Sequence, residues 1–485
     1  MKLLLKIYDN ILNSKNSNLT TVAISWLHIV RAKFPGFLEN YTLNSKDNIF
    51  IFSSIFKLIK RNIIFIFYIF KKNLFYRKKN KQIKNCEILI ISHCLNKKSL
   101  NMKMDFYFGE LERILSQKNF RYFKLLINHT DYDSEKLNDI NKIKKQMVLE
   151  KYLTLSEELK IFFLQIQEFI RLKIYQFSNK NCTIKKSLNN ICNSVFDSQT
   201  KFSLRMHFLT HKYLSQTKPK YIIFTYEGFA WERLCINAAK KFSKNIKVIG
   251  YQQSFVTKNC FAILRNIKGD YNPDIVWTTG KNSHSILKQS KKLKKVEIKK
   301  IGYLKKKNKF KVKLKIEPNI LVVPNATFSD NIKLFSFSLK CAKKNKFIYF
   351  TWRVHPLVNI KKIFKNLNID ANSLPKNVNV SKNSFVNDIK TNSFVLYIGS
   401  AAVIEASSGG NIPIYLNLPR EANADPIRNY KQCSLYVNSE NQFLELFRDN
   451  LMKKKIKKIQ SIAPKIIYDF YEKLDKRSLL KTFGD

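Results

Sequence analysis

The stretch FVLYIGSAAVIEASSGGNIPIYL, residues 394–416, reads as a buried strand, a tight turn of small residues, a helix and a second buried strand. That order is what a nucleotide-binding α/β unit requires. The turn Gly399-Ser400-Ala401 lacks side-chain bulk, so a ligand can approach the backbone, and the N–H groups opening the following helix suit a phosphate. Glu405, one turn later, is placed to reach ribose hydroxyls. Any β-α-β crossover also wants a small-residue turn here, so the stretch alone indicates a fold and leaves the ligand open.

Outward from it the same alternation continues. Before it come NILVVPNA, a helix LFSFSLKCAKK, FIYFTWRVHP and VNVS; after it comes CSLYVN. An earlier series begins at residue 85 with ILIISHCLN, YFKLLINHT, YIIFTYEG, KVIGYQQS, PDIVWTTG and VEIKKIGYL, with helix-length intervals between most of them. Apolar strands spaced by helices make parallel sheets with crossovers. Between residues 110 and 217 there is no Pro or Gly, and the span from about 135 to 217 is expected to be helical.

These readings predict an α/β chain of two doubly wound, Rossmann-like domains facing a cleft. Residues 85–304 form the first, with a helical insertion; 305–318 are a basic linker; 319–450 form the second; and 451–485 are a closing helix packed across both. Ligands of such sheets bind beyond the carboxyl ends of the strands.

Composition narrows the partners less than it first promises. Against 35 Asp+Glu stand 88 Lys+Arg, a formal charge of +53 over 485 residues, which by itself points to nucleic acid or an anionic membrane. The lysines are spread through nearly every segment beside Asn, Ile and Phe, and no zinc finger, RNP motif or helix-turn-helix accompanies them, so nucleic acid is not the expected partner. Eight cysteines (86, 94, 182, 192, 235, 260, 341 and 433) include no C-x-x-C pair; reduced thiols of a cytoplasmic protein are the simplest reading, and no metal site is expected. The opening MKLLLKIYDNIL is interrupted by Lys6 and Asp9 and makes a poor signal peptide.

Residues 1–84 stand apart as a basic, aromatic, helical region. Residues 49–70 are long enough to cross a bilayer, but Lys57, Lys60 and Arg61 near the middle cost about as much as the apolar residues contribute. Those cations share one helical face, and residues 49–84 contain no Asp or Glu. The segment is therefore expected to lie on the anionic inner face of the cytoplasmic membrane, with burial against the rest of the protein as the competing possibility.

Several strand-end residues are candidates for chemistry. Arg353 and His355 emerge together after FIYFTW and suit a phosphate, Arg by bridging two oxygens; the alternative is a structural carboxylate for Arg353 and a capped carbonyl for His355. Glu227 follows YIIFTY and precedes a glycine, as a general base would that takes a proton from an alcohol; it could equally cap the next helix. His93, after ILIIS, is the competing base. Gln252 and Gln253 end another strand. Asp131-Tyr132-Asp133 has the D-x-D form of a metal-diphosphate site, but Ser134 opens a helix at once, which favours an N-cap. No P-loop, H-E-x-x-H, G-x-S-x-G or G-x-G-x-x-G occurs.

In this order, DFYFG (105–109), YEG (226–228), WRVHP (352–356) and GSAAVIEA (399–406) resemble the GT-B glycosyltransferases, and more narrowly bacterial surface-carbohydrate biosynthesis proteins. The likeness covers about residues 86–438. A looser similarity links Glu227-Gly228, His355-Pro356 and Ser400 or Ser407-Ser408 to bacterial sialyl- and polysialyltransferases, with Tyr226 where those have an acid. The resemblance implies an inverting transfer without metal or cofactor. Arg353, His355 and Ser400, with Gly399, Ala401, Ser407 and Ser408, would hold the nucleotide-sugar donor, Glu405 its ribose, and Asp105, Gln252 and Gln253 a glycan or lipid-linked acceptor that Glu227 or His93 deprotonates. A nucleotide-sugar epimerase on the same fold, or a non-catalytic basic protein binding nucleic acid or polysaccharide, are the alternatives.

Overall fold

A computed structural model describes residues 2–28, 85–257, 260–305, 316–325, 327–356, 358–370, 373–418, 425–448 and 450–484. The expected membrane segment, 49–84, and most of the linker lie outside them. The chain divides into two compact units: Met1–Gln253 with Lys258–Thr278 and His284–Lys300, and Ser254–Thr257 with Thr279–Ser283 and Ile301–Asp485.

The first unit is built on seven parallel strands: β1 (Ile88–Cys94), β2 (Tyr122–Asn128), β3 (Gln146–Val148), β4 (Tyr221–Thr225), β5 (Lys247–Gln252), β6 (Ile275–Thr278) and β7 (Glu297–Lys300). Their order is β3-β2-β1-β4-β5-β6-β7. The chain thus winds outward from β1 in one direction, then returns beside β1 and winds the other way. Central strands are buried along their length, which is why they read as continuous apolar runs and not as alternations.

The second unit repeats the plan with β8 (Asn319–Val323), β9 (Tyr349–Trp352), β10 (Val378–Val380), β11 (Phe394–Tyr397), β12 (Ile412–Leu416) and β13 (Leu435–Val437), in the order β10-β9-β8-β11-β12-β13. This is the doubly wound order of a dinucleotide-binding sheet. Its core joins both faces of the sheet, with Trp352 stacked on Phe335 at 4.5 Å and its Nε1 donating to Ser338 Oγ at 2.9 Å. The closing helix Asn450–Phe470 packs on this unit, against the helix Ala402–Ser408 and β12.

One local expectation is corrected. The span 135–217 is not all helix: β3 adds an edge strand, pinned by Asn138, which exchanges hydrogen bonds with Val148, and by Gln146 donating to the Leu100 carbonyl. The segment DFYFGELERILSQ is helical only from Leu111 to Gln117. Before that, Asp105 Oδ1 accepts from the amides of Tyr107 and Phe108 at 2.8 and 3.0 Å and folds the chain into a turn, the local competition by which aspartate leaves helices.

The first 28 residues are part of the first unit. The amphipathic helix Lys2–Leu12 buries Ile7, Tyr8, Ile11 and Leu12. Asp9 pairs with buried Arg265 at 2.6 Å, and Asn18 and Thr21 each donate at 2.8 Å to the fully buried carboxylate of Glu168.

Candidate functional site

In the first unit the strand order reverses between β1 and β4, and the side chains with chemistry gather at the carboxyl ends of those strands. His93 is near the end of β1. Its Nε2 is 2.9 Å from Thr225 Oγ1, the last residue of β4, and its Nδ1 is 2.8 Å from Nε2 of His129, just past β2. The edges of Tyr107 and Trp231 close around the ring at centroid distances of 4.8 and 5.7 Å. Burial, helped by His129 and opposed by Asp105, lowers the His93 pKa to about 3, so the imidazole is neutral at ordinary pH.

Glu227 stands in the turn after β4. The carboxylate that organises this turn is Glu232, buried on the following helix Ala230–Phe242: its Oε2 accepts the amides of Glu227, Gly228 and Phe229 at 2.9, 2.7 and 2.8 Å. Capping is thus the work of Glu232, and the side chain of Glu227 is not needed for it. Glu227 remains half-buried, near enough to Tyr107 that its charge, after burial itself and before that of Asp105, pushes the phenol up to about 12. Gly228 has φ +84°, and a Cβ there would lie 2.4 Å from the Ala262 carbonyl carbon, so the turn admits only glycine.

Gln252 ends β5 with 1% of its surface exposed, and neither end of its amide has a hydrogen-bond partner among the described residues. Buried amides are seldom left so, and an arriving polar ligand would satisfy it. Gln253 beside it is half-buried. Asp105 is differently placed: Oδ1 holds its own turn and Oδ2 lies 3.4 Å from buried Lys124, so the fold itself occupies the carboxylate expected to meet an acceptor. Asp133 takes the N-cap position of the helix Ser134–Asp139, with Asn128 and Thr130 ordering the turn before it. Among the described residues no group of three or more His, Cys, Asp or Glu could hold a metal ion.

In the second unit the corresponding reversal lies between β8 and β11. Asn325 Nδ2 reaches the Ile398 carbonyl at 3.3 Å and Asp330, while Ser400 Oγ reaches the Pro324 carbonyl at 3.4 Å. Gly399 adopts φ 58°, the left-handed turn that brings the chain from β11 into the helix Ala402–Ser408. Ala401 and Glu405 are half-buried on this turn and helix. The hydroxyls of Ser407 and Ser408 donate at 2.7 Å to the carbonyls of Val403 and Glu405 within the helix. Arg353 Nη1 donates to buried Asp388 at 2.6 Å and to the Asn383 carbonyl at 2.9 Å, with the guanidinium over Phe385. The structural carboxylate left open for it is therefore present. His355 is half-buried and its pKa is lowered by that burial.

Three of these residues were not among the candidates read from the sequence. His129 and Tyr107 reach His93 from another strand end and from the Asp105 turn, and Asn325 becomes significant only once β8 lies beside β11.

The arrangement has known counterparts in fold. No protein-family model matches the sequence, and no curated protein matches it. Among solved structures, a co-structure of S. aureus MnaA with UDP superposes with a TM-score of 0.51 at 11% identity, over 82% of this chain and 96% of that one. The chain has the two-unit GT-B fold. Also similar are a Neisseria meningitidis UDP-GlcNAc 2-epimerase bound to UDP-GlcNAc (TM-score 0.47, 13% identity, 82% of this chain, all 100% of that one) and Acinetobacter baumannii MurG (0.43, 10%, 82% and 98%). At these identities the likeness is one of fold.

Proposed function

We propose that the chain is a glycosyltransferase that moves a sugar from a nucleotide-activated donor to a cell-surface polysaccharide or lipid-linked glycan, with inversion and without a metal. The observation that carries this reading is the turn after β4. Glu232 fixes the backbone of residues 227–229 through three N–H groups and so holds Glu227 on a rigid turn near Tyr107, whose ring packs on His93. A carboxylate held on a rigid turn, at the strand reversal of a GT-B unit, is suited to taking the proton of an acceptor hydroxyl as it attacks the anomeric carbon. The donor's phosphate leaves as the glycosidic bond forms.

The second unit would take the donor. Backbone amides around Gly399–Ala401 and His355 are the candidates for its phosphates. Arg353, anchored on Asp388 through Nη1, can offer its other nitrogens to an anion. Glu405 would take the ribose. The co-structure of MnaA contains UDP, which supports a nucleoside diphosphate leaving group over other activated forms.

The test is direct. Purified chain is screened with UDP-, GDP-, dTDP- and CMP-sugars for thermal stabilisation, and the stabilising donor is then offered with membrane acceptors. Glu227→Gln should retain donor stabilisation and lose transfer by about 100-fold or more. Conversion of the donor to its epimer without transfer would replace this reading by an epimerase; stabilisation by no nucleotide sugar would remove it.

A further inference from the structure

The helix Leu155–Ser178 presents the wrong faces for a helix of a water-soluble domain. Its inward side buries three polar residues, Glu158, Gln165 and Glu168, beside Ile161 and Leu172. Glu158 is buried against Arg205 and Lys201 at 2.5 and 3.2 Å, Gln165 donates to the Val195 carbonyl at 2.6 Å, and Glu168 is buried with Arg171, Asn18 and Thr21. Its outward side is apolar: Leu155, Leu159, Phe163, Ile170, Ile174 and Phe177 are exposed, Phe163 by 60%, Ile174 by 64% and Phe177 by 78%. Steps of three, four and seven place these residues on one stripe, running the helix's length of roughly 36 Å. Solvated helices carry the opposite pattern, and an exposed apolar stripe of this extent marks an interaction surface.

The charges around the stripe select its occupant. From residue 158 to residue 196 the only acids are Glu158 and Glu168, both buried, while Lys160 on this helix, Lys180 in the connection after it, and Lys185 and Lys186 at the start of the helix Cys182–Ser194 packed beside it are exposed. A second copy would bring the same lysines and, of this helix's acids, only half-buried Glu157, already bonded to Thr154, to meet them. Lipid phosphates supply both the missing counter-charge and an apolar phase for the Phe and Ile side chains. Among the described residues no helix is long and apolar enough to cross a membrane, so the stripe would lie on a bilayer and not span it.

We propose that the outer face of Leu155–Ser178 is a docking surface for an anionic lipid membrane, separate from the basic segment 49–84. The helix settles in the plane of the interface, with Phe163, Ile170, Ile174 and Phe177 below the headgroups and the lysines among the phosphates.

The experiment places a nitroxide at Ile170→Cys, and separately at Ile174→Cys, in the full chain carrying Cys182→Ser to remove the exposed native thiol. Accessibility to oxygen and to a water-soluble nickel complex is measured before and after adding vesicles of phosphatidylglycerol and phosphatidylcholine. On binding, both labels should gain oxygen accessibility and lose most of their nickel accessibility, whereas a label at exposed Lys244→Cys should change in neither. Vesicles of phosphatidylcholine alone should bind at least about tenfold more weakly. The proposal is overturned if the chain does not bind the anionic vesicles, if it binds while the helix labels keep their nickel accessibility, or if those labels are already shielded without vesicles. The last result would assign the face to a second copy or to another part of the chain.

Discussion

Nε2 of His93 lies 2.9 Å from Oγ1 of Thr225, and this contact ties the end of β1 to the end of β4 where the winding of the sheet reverses. Because His93 Nδ1 also meets His129 Nε2, the neutral ring satisfies both neighbours in either of two ways. It can donate to Thr225 and accept from His129, or accept the Thr225 hydroxyl proton and donate to His129. Switching between these tautomers carries a proton between exposed His129 and the strand reversal without His93 ever becoming charged.

The neutrality of His93 predicts a specific acid limb of stability. Burial lowers His93 and His28 to about 3 and His207 to about 4. Unfolded histidines bind protons near pH 6.5, so between pH 6.5 and about 3 the unfolded chain holds more protons than the folded one, and stability falls as pH falls through that window. Above pH 6.5 the contribution is fully present. Each histidine adds at most about 1.4 kcal/mol per pH unit. Urea denaturation between pH 8 and 4 should show this slope, and His207→Gln should reduce it by one proton; an unchanged slope would refute the assignment.

Gly228→Ala should be among the most damaging single-methyl changes in the chain. The added carbon would overlap the Ala262 backbone at 2.4 Å while φ stays at +84°, and neither backbone can yield cheaply. Left-handed strain alone costs about 1–2 kcal/mol, and the overlap adds to it, for a loss of at least about 3 kcal/mol in urea unfolding. A loss below about 1 kcal/mol would mean that the turn relaxes, and that the position of Glu227 is less fixed than the three Glu232 contacts imply.

The alternation of apolar runs made both sheets legible, because a parallel strand buried on two faces leaves a mark that short-range sequence retains. His93, Glu227, Gly399 and Ser400 were legible as strand-end residues for the same reason. What was hidden depends on contacts between distant segments. Asp388 partners Arg353 across 35 residues, and Glu232, not Glu227, caps its helix through a carboxylate that sequence would place on an ordinary helical turn. The stripe on Leu155–Ser178 was hidden because its inward acids are matched from distant segments, Glu158 by Arg205 and Lys201 and Glu168 by Asn18 and Thr21.

Ser407 and Ser408 give a prediction opposite to their place in the motif. Both hydroxyls bond carbonyls of their own helix, so Ser407→Ala and Ser408→Ala should leave donor-induced thermal stabilisation unchanged and alter folding stability by less than about 1 kcal/mol. Ser400→Ala, which loses the bond across the β8 and β11 ends, should weaken donor stabilisation. Equal losses from all three would return the serines to the ligand set.

Asp388→Ala should be costly even though Asp388 touches no proposed substrate atom. Its carboxylate is buried and receives Arg353 at 2.6 Å and Ser381 at 2.6 and 2.7 Å. Removing it takes the counter-charge from a partly buried guanidinium, which keeps the Asn383 carbonyl, and takes the acceptor from the Ser381 hydroxyl, about 2–3 kcal/mol by the scale for charged hydrogen bonds. Donor stabilisation should fall with it, because Arg353 loses its anchor. Arg353→Met alongside Asp388→Ala should recover part of the folding stability and none of the donor effect.

The N-terminal 28 residues should prove inseparable from the first unit. Asp9 lies 2.6 Å from Arg265, whose Nη1 also donates to the Leu27 carbonyl at 2.5 Å, and Arg265 is 3% exposed. Withdrawing the carboxylate strands a buried cation, so Asp9→Ala should cost about 3 kcal/mol or more. Asp9→Ala with Arg265→Met should cost less than Asp9→Ala alone, since no charge is then left unpaired. Deleting residues 1–28 removes Asp9, the Leu27 carbonyl and the Asn18 and Thr21 donors to Glu168 together, and should cost far more than the single substitution. If that deletion left the urea midpoint unchanged, the docking of this segment on the first unit would be refuted.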